Sequence, residues 1–423
     1  MQHKLQVRIL KELIAQLDSG RNIDSGEQYK MPTDVYVDQN LAEREWQTLF
    51  RSHPQLIGMS ADLPEKNSYF TVEEFGIPVL ATRDEQGNFR AFLNACRHRG
   101  VSVTRENKGV AKRFVCPFHA WTYASNGELV GVAEEQDFGP IDKRCNGLIE
   151  LPAAERYGML WVHPQPQASF DVDELLGEAL AKELASHNLQ DYVFAGDKEI
   201  DKRLNWKLAN DTFGETYHFQ KLHRDTLGQV FYGNNLAYEE FGRHHRFVTA
   251  SKSIDEVRAR PESEWKLSHG AILIYYLFPN IQLLFNTGRV SVVRIYPVHG
   301  DPAHSITRLA TYCEPSYADL VMSTDAQGRE DLRVMTDIYD PNKPAGSIAT
   351  LEATMEAFYS TVELEDYAMG EKQQRAAESG VSQEVIFGRN EPPLHHYHRC
   401  FREALDMPPL KAVDAGESVV ASA

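Results

Sequence analysis

The chain has 423 residues, of which 42% are hydrophobic, 25% charged and 10% aromatic, enough for a buried core and unlike a disordered or low-complexity chain. At about 150 residues per domain this length predicts two or three domains. The net charge of −17 argues against nucleic acid and anionic membranes as partners, and the five cysteines are too few for a disulfide framework. The first helix is amphipathic, with Leu5, Ile9, Leu13 and Leu17 recurring beside Leu10 and Ile14, and Gly20 as its stop. Its N-terminal residues lack the apolar run and cleavage site of a secretory signal, and nowhere do about 18 apolar residues run together, so the expected location is the cytoplasm with no membrane-spanning helix. Asp38 is a cap for a second helix carrying Leu41, Trp46, Leu49 and Phe50.

From Tyr69 the texture becomes β. Ile77–Thr82 and Phe89–Leu93 flank Asp84-Glu85-Gln86-Gly87, Trp121–Tyr123 and Glu128–Val130 flank Ser125-Asn126-Gly127, and Met159–Val162 follows. The predicted organisation is a helical segment 1–44, an all-β domain 45–165, a mixed domain 166–411 and a disordered tail 412–423. In the third part, Phe170–Ser186, Asn205–Leu222 and Leu351–Ser379 read as helices. Ile272–Phe278, Ile281–Asn286, Val290–Val298 and Ser305–Tyr312 read as strands. The fold class is α+β, with helices covering an antiparallel sheet.

Two constellations carry chemistry. Cys96-Arg97-His98 and Cys116-Pro117-Phe118-His119 sit at loop ends, one Cys and one His from each. Zinc competes for such ligands, but its sites usually open on cysteines two to four residues apart. Two thiolates and two imidazoles match a [2Fe–2S] cluster with two cysteines on one iron and two histidines on the other.

The second lies over Asn205–His223. At 100° per residue, Asp211, Glu215 and His218 share one stripe, which makes Asp211 and Glu215 candidate catalytic residues. His218 and His223 point about 140° apart on a regular helix, so both reach one metal only if the helix ends or distorts near 220–222. Two histidines and a carboxylate form the facial triad of oxygen-activating Fe(II). Asp366 lies in the apolar stripe of Met355, Phe358, Val362 and Met369, but periodicity does not choose between it and Glu365. The histidines at 395, 396 and 398 read as satisfied or surface residues, and Cys145, Cys313 and Cys400 as small apolar ones.

Cys96-Arg97-His98-Arg99-Gly100 and Cys116-Pro117-Phe118-His119-Ala120-Trp121 resemble the cluster motif of the Rieske non-heme iron oxygenases. Asn205–His223, and Glu365-Asp366 followed by Gln374, resemble the family's iron-binding segments. The resemblance implies the terminal oxygenase (alpha) subunit of the aromatic-ring-hydroxylating dioxygenases, with a helix-grip catalytic domain. It implies a cluster held by Cys96, His98, Cys116 and His119, and a mononuclear Fe(II) held by His218, His223 and Asp366. O2 is the implied co-substrate, with NAD(P)H supplying electrons through a ferredoxin or flavin reductase. A homotrimer, or a heterohexamer with a small β subunit, is the implied assembly, with Glu215 bridging electron transfer between subunits. The implied reaction is hydroxylation or dihydroxylation of an aromatic substrate. Glu215 stands where the family usually has Asp. It resembles the carnitine-type monooxygenases, which gives the second reading, oxidation or demethylation of a quaternary amine or methoxy/N-methyl compound. An electron carrier without oxygenase activity is a third, but it needs no second set of metal ligands.

Overall fold

The N-terminal helix runs His3–Ser19, buries Ile9, Leu10 and Leu13, and ends where Gly20 turns left-handed at φ +62°. The computed structural model describes residues 1–317 and 351–413. It divides into two compact units, Glu45–Tyr192 and Met1–Arg44 with Val193–Ala423. Residues 166–192, expected with the catalytic domain, thus fall in the β-rich unit, and the 1–44 segment falls in the other.

Unit Glu45–Tyr192 contains antiparallel sheets of five, three and three strands. The hairpin joining Val79–Arg83 to Phe89–Leu93 closes because Asp84 Oδ1 accepts the backbone N–H groups of Gln86 at 3.0 Å and Asn88 at 2.8 Å. The helix expected over Phe170–Ser186 is two helices, Val172–Leu176 and Glu178–Ala185. Gly177 between them sits at φ +74°, which no continuing helix adopts.

The other unit is built on an antiparallel sheet of β1 (Val193–Lys202), β2 (Ala237–Phe241), β3 (His244–Ala250), β4 (Ala271–Leu277), β5 (Ile281–Asn286), β6 (Arg289–Val298) and β7 (Asp301–Cys313), in spatial order β1-β7-β6-β5-β4-β3-β2. One row of side chains crosses five strands in register, with Phe247 opposite Ile274, Ile274 opposite Leu284, Leu284 opposite Ser291 and Ser291 opposite Thr311. Because side chains alternate with period two, Asn286 and Arg289, themselves paired, lie on the same face one row along.

The predicted helix Leu351–Ser379 carries a π-helical turn, Val362–Asp366, between Leu351–Thr361 and Tyr367–Glu378. The predicted helix Asn205–Leu222 is only Trp206–Asp211, and residues 212–226 run as successive turns. Most of the tail expected to be disordered, residues 414–423, lies outside the described residues. Ala412 pairs with Tyr29 in a short strand. Among the described residues no helix is long and apolar enough to cross a membrane.

Candidate metal centres and active-site cavity

Two loops of the β-rich unit close in the same way. The N–H of Cys96 donates to Val101 O and that of Cys116 to Trp121 O, both at 2.8 Å. Gly100 N–H returns to Cys96 O at 2.8 Å and Ala120 N–H to Cys116 O at 3.0 Å. Gly100 and Ala120 both have positive φ, +75° and +55°. That is free for glycine but costs alanine of order 1 kcal/mol, a strain held by the surrounding fold. Each loop therefore turns its thiol inward: Cys96 and Cys116 are buried in one apolar cluster with Phe114, Trp121 and Tyr123. His98 and His119 meet with ring centroids 4.5 Å apart, and His98 stacks on Trp121. Tyr123 accepts the Arg97 N–H at 2.9 Å, which leaves its own proton for Cys96 Sγ at 3.3 Å. His98 Nδ1 is buried and has no hydrogen-bond partner among the described residues. A buried imidazole nitrogen without a partner, beside a second imidazole and two buried thiols, fits the donor set of a two-cysteine, two-histidine cluster.

In the other unit, the turns over 212–226 do what a helix could not. Glu215 caps them. One carboxylate oxygen accepts the N–H groups of Tyr217 and His218, and the other binds His218 Nδ1. The chain then reverses through Gly228, whose N–H donates to His223 O at 2.8 Å. His218 Nε2 comes within 3.1 Å of His223 Nε2, and Asp366 Oδ1 lies 3.4 Å from the first and 3.1 Å from the second. On the far side of the His223 ring, Nδ1 is 2.8 Å from Glu365 Oε2, which also accepts the Thr226 hydroxyl at 3.0 Å. The helix thus brings Asp366 to the meeting point of the two histidines and Glu365 behind one of them.

His218, His223 and Asp366 each offer one ligand atom, all within 4.8 Å of one another. With a carboxylate at each Nδ1, both Nε2 atoms face the same point as Asp366 Oδ1. Three carboxylates, Glu215, Glu365 and Asp366, surround the two rings and favour positive charge at that point, carried by a proton or by a metal ion. Burial disfavours a charged His218, yet Asp366 and Glu215 outweigh it and push its pKa up to about 10. His223 is likewise raised against burial, chiefly by Asp366. The donor set and its electrostatics fit a divalent metal of the facial-triad kind.

The triad opens on a cavity of about 840 Å³. The row Phe247, Ile274, Leu284, Ser291 and Thr311 lines one wall, and Thr354, Met355, Phe358 and Val362 of the Leu351–Asp366 helix line another. Asp211 is not among the lining residues. The helix ends on it, and its carboxylate is taken up by His398 Nε2 and the Tyr36 hydroxyl, both at 2.9 Å. His395, His396 and His398 are buried in the helix Pro392–Ala404, with His396 Nδ1 3.0 Å from His245 Nδ1. Cys313 and Cys400 are buried and Cys145 is exposed, all as free thiols. Sequence reasoning missed Arg289, which lines the cavity, and the hydrogen bond of Tyr123. Strand alternation from Ser291 would have put Arg289 on the inner face, but no local signal marks it as buried.

Two family descriptions match the chain: a Rieske [2Fe-2S] domain over residues 53–142, and the ring hydroxylating alpha subunit (catalytic domain) over residues 189–407, just over half of the chain. The glycine betaine monooxygenase oxygenase subunit of Chromohalobacter salexigens is 31% identical over 205 residues, 48% of this chain and 45% of that protein. The anthranilate 1,2-dioxygenase large subunit of Acinetobacter baylyi is 30% identical over 209 residues, 48% of this chain and 44% of that protein. The chain spans about half the length of the curated relatives it matches. Among solved structures, a quaternary ammonium Rieske monooxygenase, CntA, superposes with a TM-score of 0.71 at 18% identity, covering 89% of this chain and 95% of that one. Naphthalene 1,2-dioxygenase superposes at 0.65 and 20% identity, covering 92% and 94%. The chain belongs to the ring-hydroxylating alpha-subunit family, the Rieske non-heme iron oxygenases. The family is one of oxidoreductases, and its two domains imply a Rieske cluster and a mononuclear iron.

Proposed function

We propose that the chain is a terminal oxygenase that hydroxylates or dihydroxylates an aromatic substrate, with its cluster on Cys96, His98, Cys116 and His119 and its Fe(II) on His218, His223 and Asp366. The observation that carries this reading is the convergence of those last three side chains at the mouth of an apolar cavity. When bound, the cluster supplies electrons singly and the iron activates O2. Dihydroxylation adds both oxygen atoms, two electrons and two protons to the ring. Monooxygenation adds one oxygen atom and releases the other as water.

Around this chemistry the chain's own residues do three things. Glu215 and Glu365 hold the Nδ1 protons of His218 and His223, which fixes each ring's orientation and keeps Nε2 free for metal. Asp366 presents one carboxylate oxygen to the same point. Phe247, Ile274, Leu284, Phe358 and Val362 give the substrate a dry, apolar place beside it. A ferredoxin or flavin reductase fed by NAD(P)H fits the cluster as electron donor. A cyclic trimer, alone or with a small β subunit, fits Glu215 as the bridge between one subunit's iron and its neighbour's cluster. The location that suits such partners is the cytoplasm. Oxidation of a quaternary amine is the second reading. Glu215 in place of Asp and the likeness to the glycine betaine enzyme's oxygenase subunit favour it.

The test is a substrate panel with a surrogate reductase, scored by product formed per O2 consumed. Coupled hydroxylation of an aromatic compound supports the first reading, and coupled oxidation of a betaine only supports the second. Full metal loading with no coupled product from any substrate would remove both.

A further inference from the structure

One cationic side chain lies among the described residues lining the cavity, and neither metal centre uses it. Arg289 is 5% exposed, and no described residue gives its guanidinium a hydrogen bond or ion pair. Arg246, buried in the same sheet, shows the usual arrangement, paired with Glu239. A guanidinium has five N–H donors and no accessible neutral form, so one left alone in a buried place awaits an acceptor. The carboxylates among the described lining residues do not serve: Glu215 is engaged by His218, and Asp366 by His218 and His223.

The backbone fixes where the cation stands. Arg289 follows the turn Thr287-Gly288, in which the Thr287 hydroxyl donates to Ser268 O at 2.9 Å. Gly288 has φ +66°, and a Cβ there would come within 2.5 Å of the Tyr317 ring. Across the sheet, Arg289 pairs with Asn286 on one side and Cys313 on the other. The adjacent row grades from apolar Phe247, Ile274 and Leu284 to the hydroxyls of Ser291 and Thr311, which lie 3.3 Å apart. That row is therefore apolar on β3–β5 and polar on β6 and β7, and the guanidinium opens β6 at the polar side, paired across the strands with Asn286 of β5.

We propose that Arg289 is the substrate anchor and that the substrate is a small monocarboxylic acid with an uncharged, apolar body, an aromatic acid in the first instance. Two parallel N–H···O bonds match guanidinium to carboxylate. With that end fixed, the ring lies against the apolar part of the row. A neutral arene leaves the guanidinium unpaired. A zwitterionic betaine satisfies it but sets its ammonium against an apolar wall whose carboxylates are already committed. The inference rests on the oxygenase reading for its chemistry but not for its binding step.

Binding is measured by calorimetry on the metal-loaded full chain without reductant, using benzoate, 1-naphthoate, their methyl esters and glycine betaine. At least one free acid should bind about 10- to 100-fold more tightly than its ester, the range expected for a charge-assisted pair. Arg289→Gln should abolish that preference, and Arg289→Lys should restore part of it, with the cluster spectrum unchanged in both. In turnover, Arg289→Gln should raise KM with little change in kcat. Esters binding as tightly as acids, no carboxylate-dependent binding across the panel, or an unaltered Arg289→Gln would overturn the anchor. Glycine betaine binding more tightly than both aromatic acids would overturn the apolar-body assignment. Tight, Arg289-dependent binding of an acid that is never oxidised would leave the anchor standing and remove the oxygenase reading instead.

Discussion

Glu365 Oε2 stands 2.8 Å from His223 Nδ1, while its chain neighbour Asp366 reaches the ring's other nitrogen at 3.1 Å. Successive residues of a regular helix point 100° apart. The π-helical turn Val362–Asp366 sits at this place and lets two consecutive acids clasp one imidazole. The two carboxylates then have different work, one facing the metal point and one orienting the ring.

Asp366→Ala should lose about one iron per chain, abolish turnover and leave the cluster spectrum intact. Glu365→Ala should keep that iron at saturation and bind it roughly 10- to 100-fold more weakly, the usual cost of removing a ligand's hydrogen-bond partner. Iron analysis during a chelator titration separates the two. Iron lost in Glu365→Ala but kept in Asp366→Ala would reverse the assignment.

Glu215 holds two backbone N–H groups with one oxygen and the His218 ring with the other. Glu215→Ala should keep a reducible cluster but lose nearly all turnover. Glu215→Asp should retain part, because the shorter arm cannot serve both groups fully. Single-turnover oxidation of a pre-reduced cluster measures this, and near-normal rates in Glu215→Ala would sink the role.

Gly228 touches no metal point, yet a Cβ there would lie 2.8 Å from His223 O and 2.9 Å from Phe219 O. Both contacts are backbone, so the turn carrying His223 must move. Gly228→Ala should therefore lower mononuclear iron occupancy while the cluster stays full, as counted by iron and sulfide analysis.

Cys116→Ala should bleach the protein and release about two irons per chain. Tyr123→Phe should keep the cluster but lower its reduction potential, because the lost hydrogen bond to Cys96 favours the more negative, reduced state. A bond worth about 1 kcal/mol corresponds to roughly 40 mV for one electron. A spectroscopic redox titration reads the shift, and an unchanged or raised potential would contradict it.

Glu391, at the start of the helix Pro392–Ala404, is pushed by burial from its ordinary 4.5 up to about 7. The folded chain holds this proton more tightly than the unfolded one. Its stabilising contribution is full below pH 4.5 and is lost as pH rises through 7, by up to about 3 kcal/mol. Glu391→Gln keeps an oxygen for the Gly388 N–H and has no proton to lose. It should melt higher than the parent at pH 8 and equally at pH 4.5.

The cluster loops were legible because each sets one Cys and one His at a loop end, a donor set that points to a [2Fe–2S] cluster rather than zinc, and because the two motifs resemble those of a known family. The strands Phe89–Leu93, Met159–Val162 and Ile281–Asn286 were legible to the residue for a similar reason, since short β runs bounded by turn residues leave little freedom. The segment after Asp211 was not. Its periodicity is that of a helix, but Glu215 caps the N–H groups of Tyr217 and His218 and Gly228 lets the backbone close on His223, local contacts to which an apolar period is blind. Asp211, still on the helix, meets His398 and Tyr36, whereas Glu215 lies beyond the helix end and meets His218, so the stripe they share on paper is split. Periodicity also assumes one angle per residue, so it could not separate Glu365 from Asp366 across a π-helical turn.

The row from Phe247 to Thr311 belongs to the sheet, whereas the proposed iron ligands belong to the 212–226 turns and the Leu351–Glu378 helix. Strand residues alternate faces, so Ile274 or Leu284 can be exchanged without touching Tyr275 and Leu283, which point the other way. Under the proposed function, the sheet's share of the substrate wall is thus written in a different stretch of chain from the iron ligands, while the helix that carries Asp366 supplies the facing wall. If that function holds, point changes along this one line of pairing should shift which molecules are taken while leaving His218, His223 and Asp366 in place.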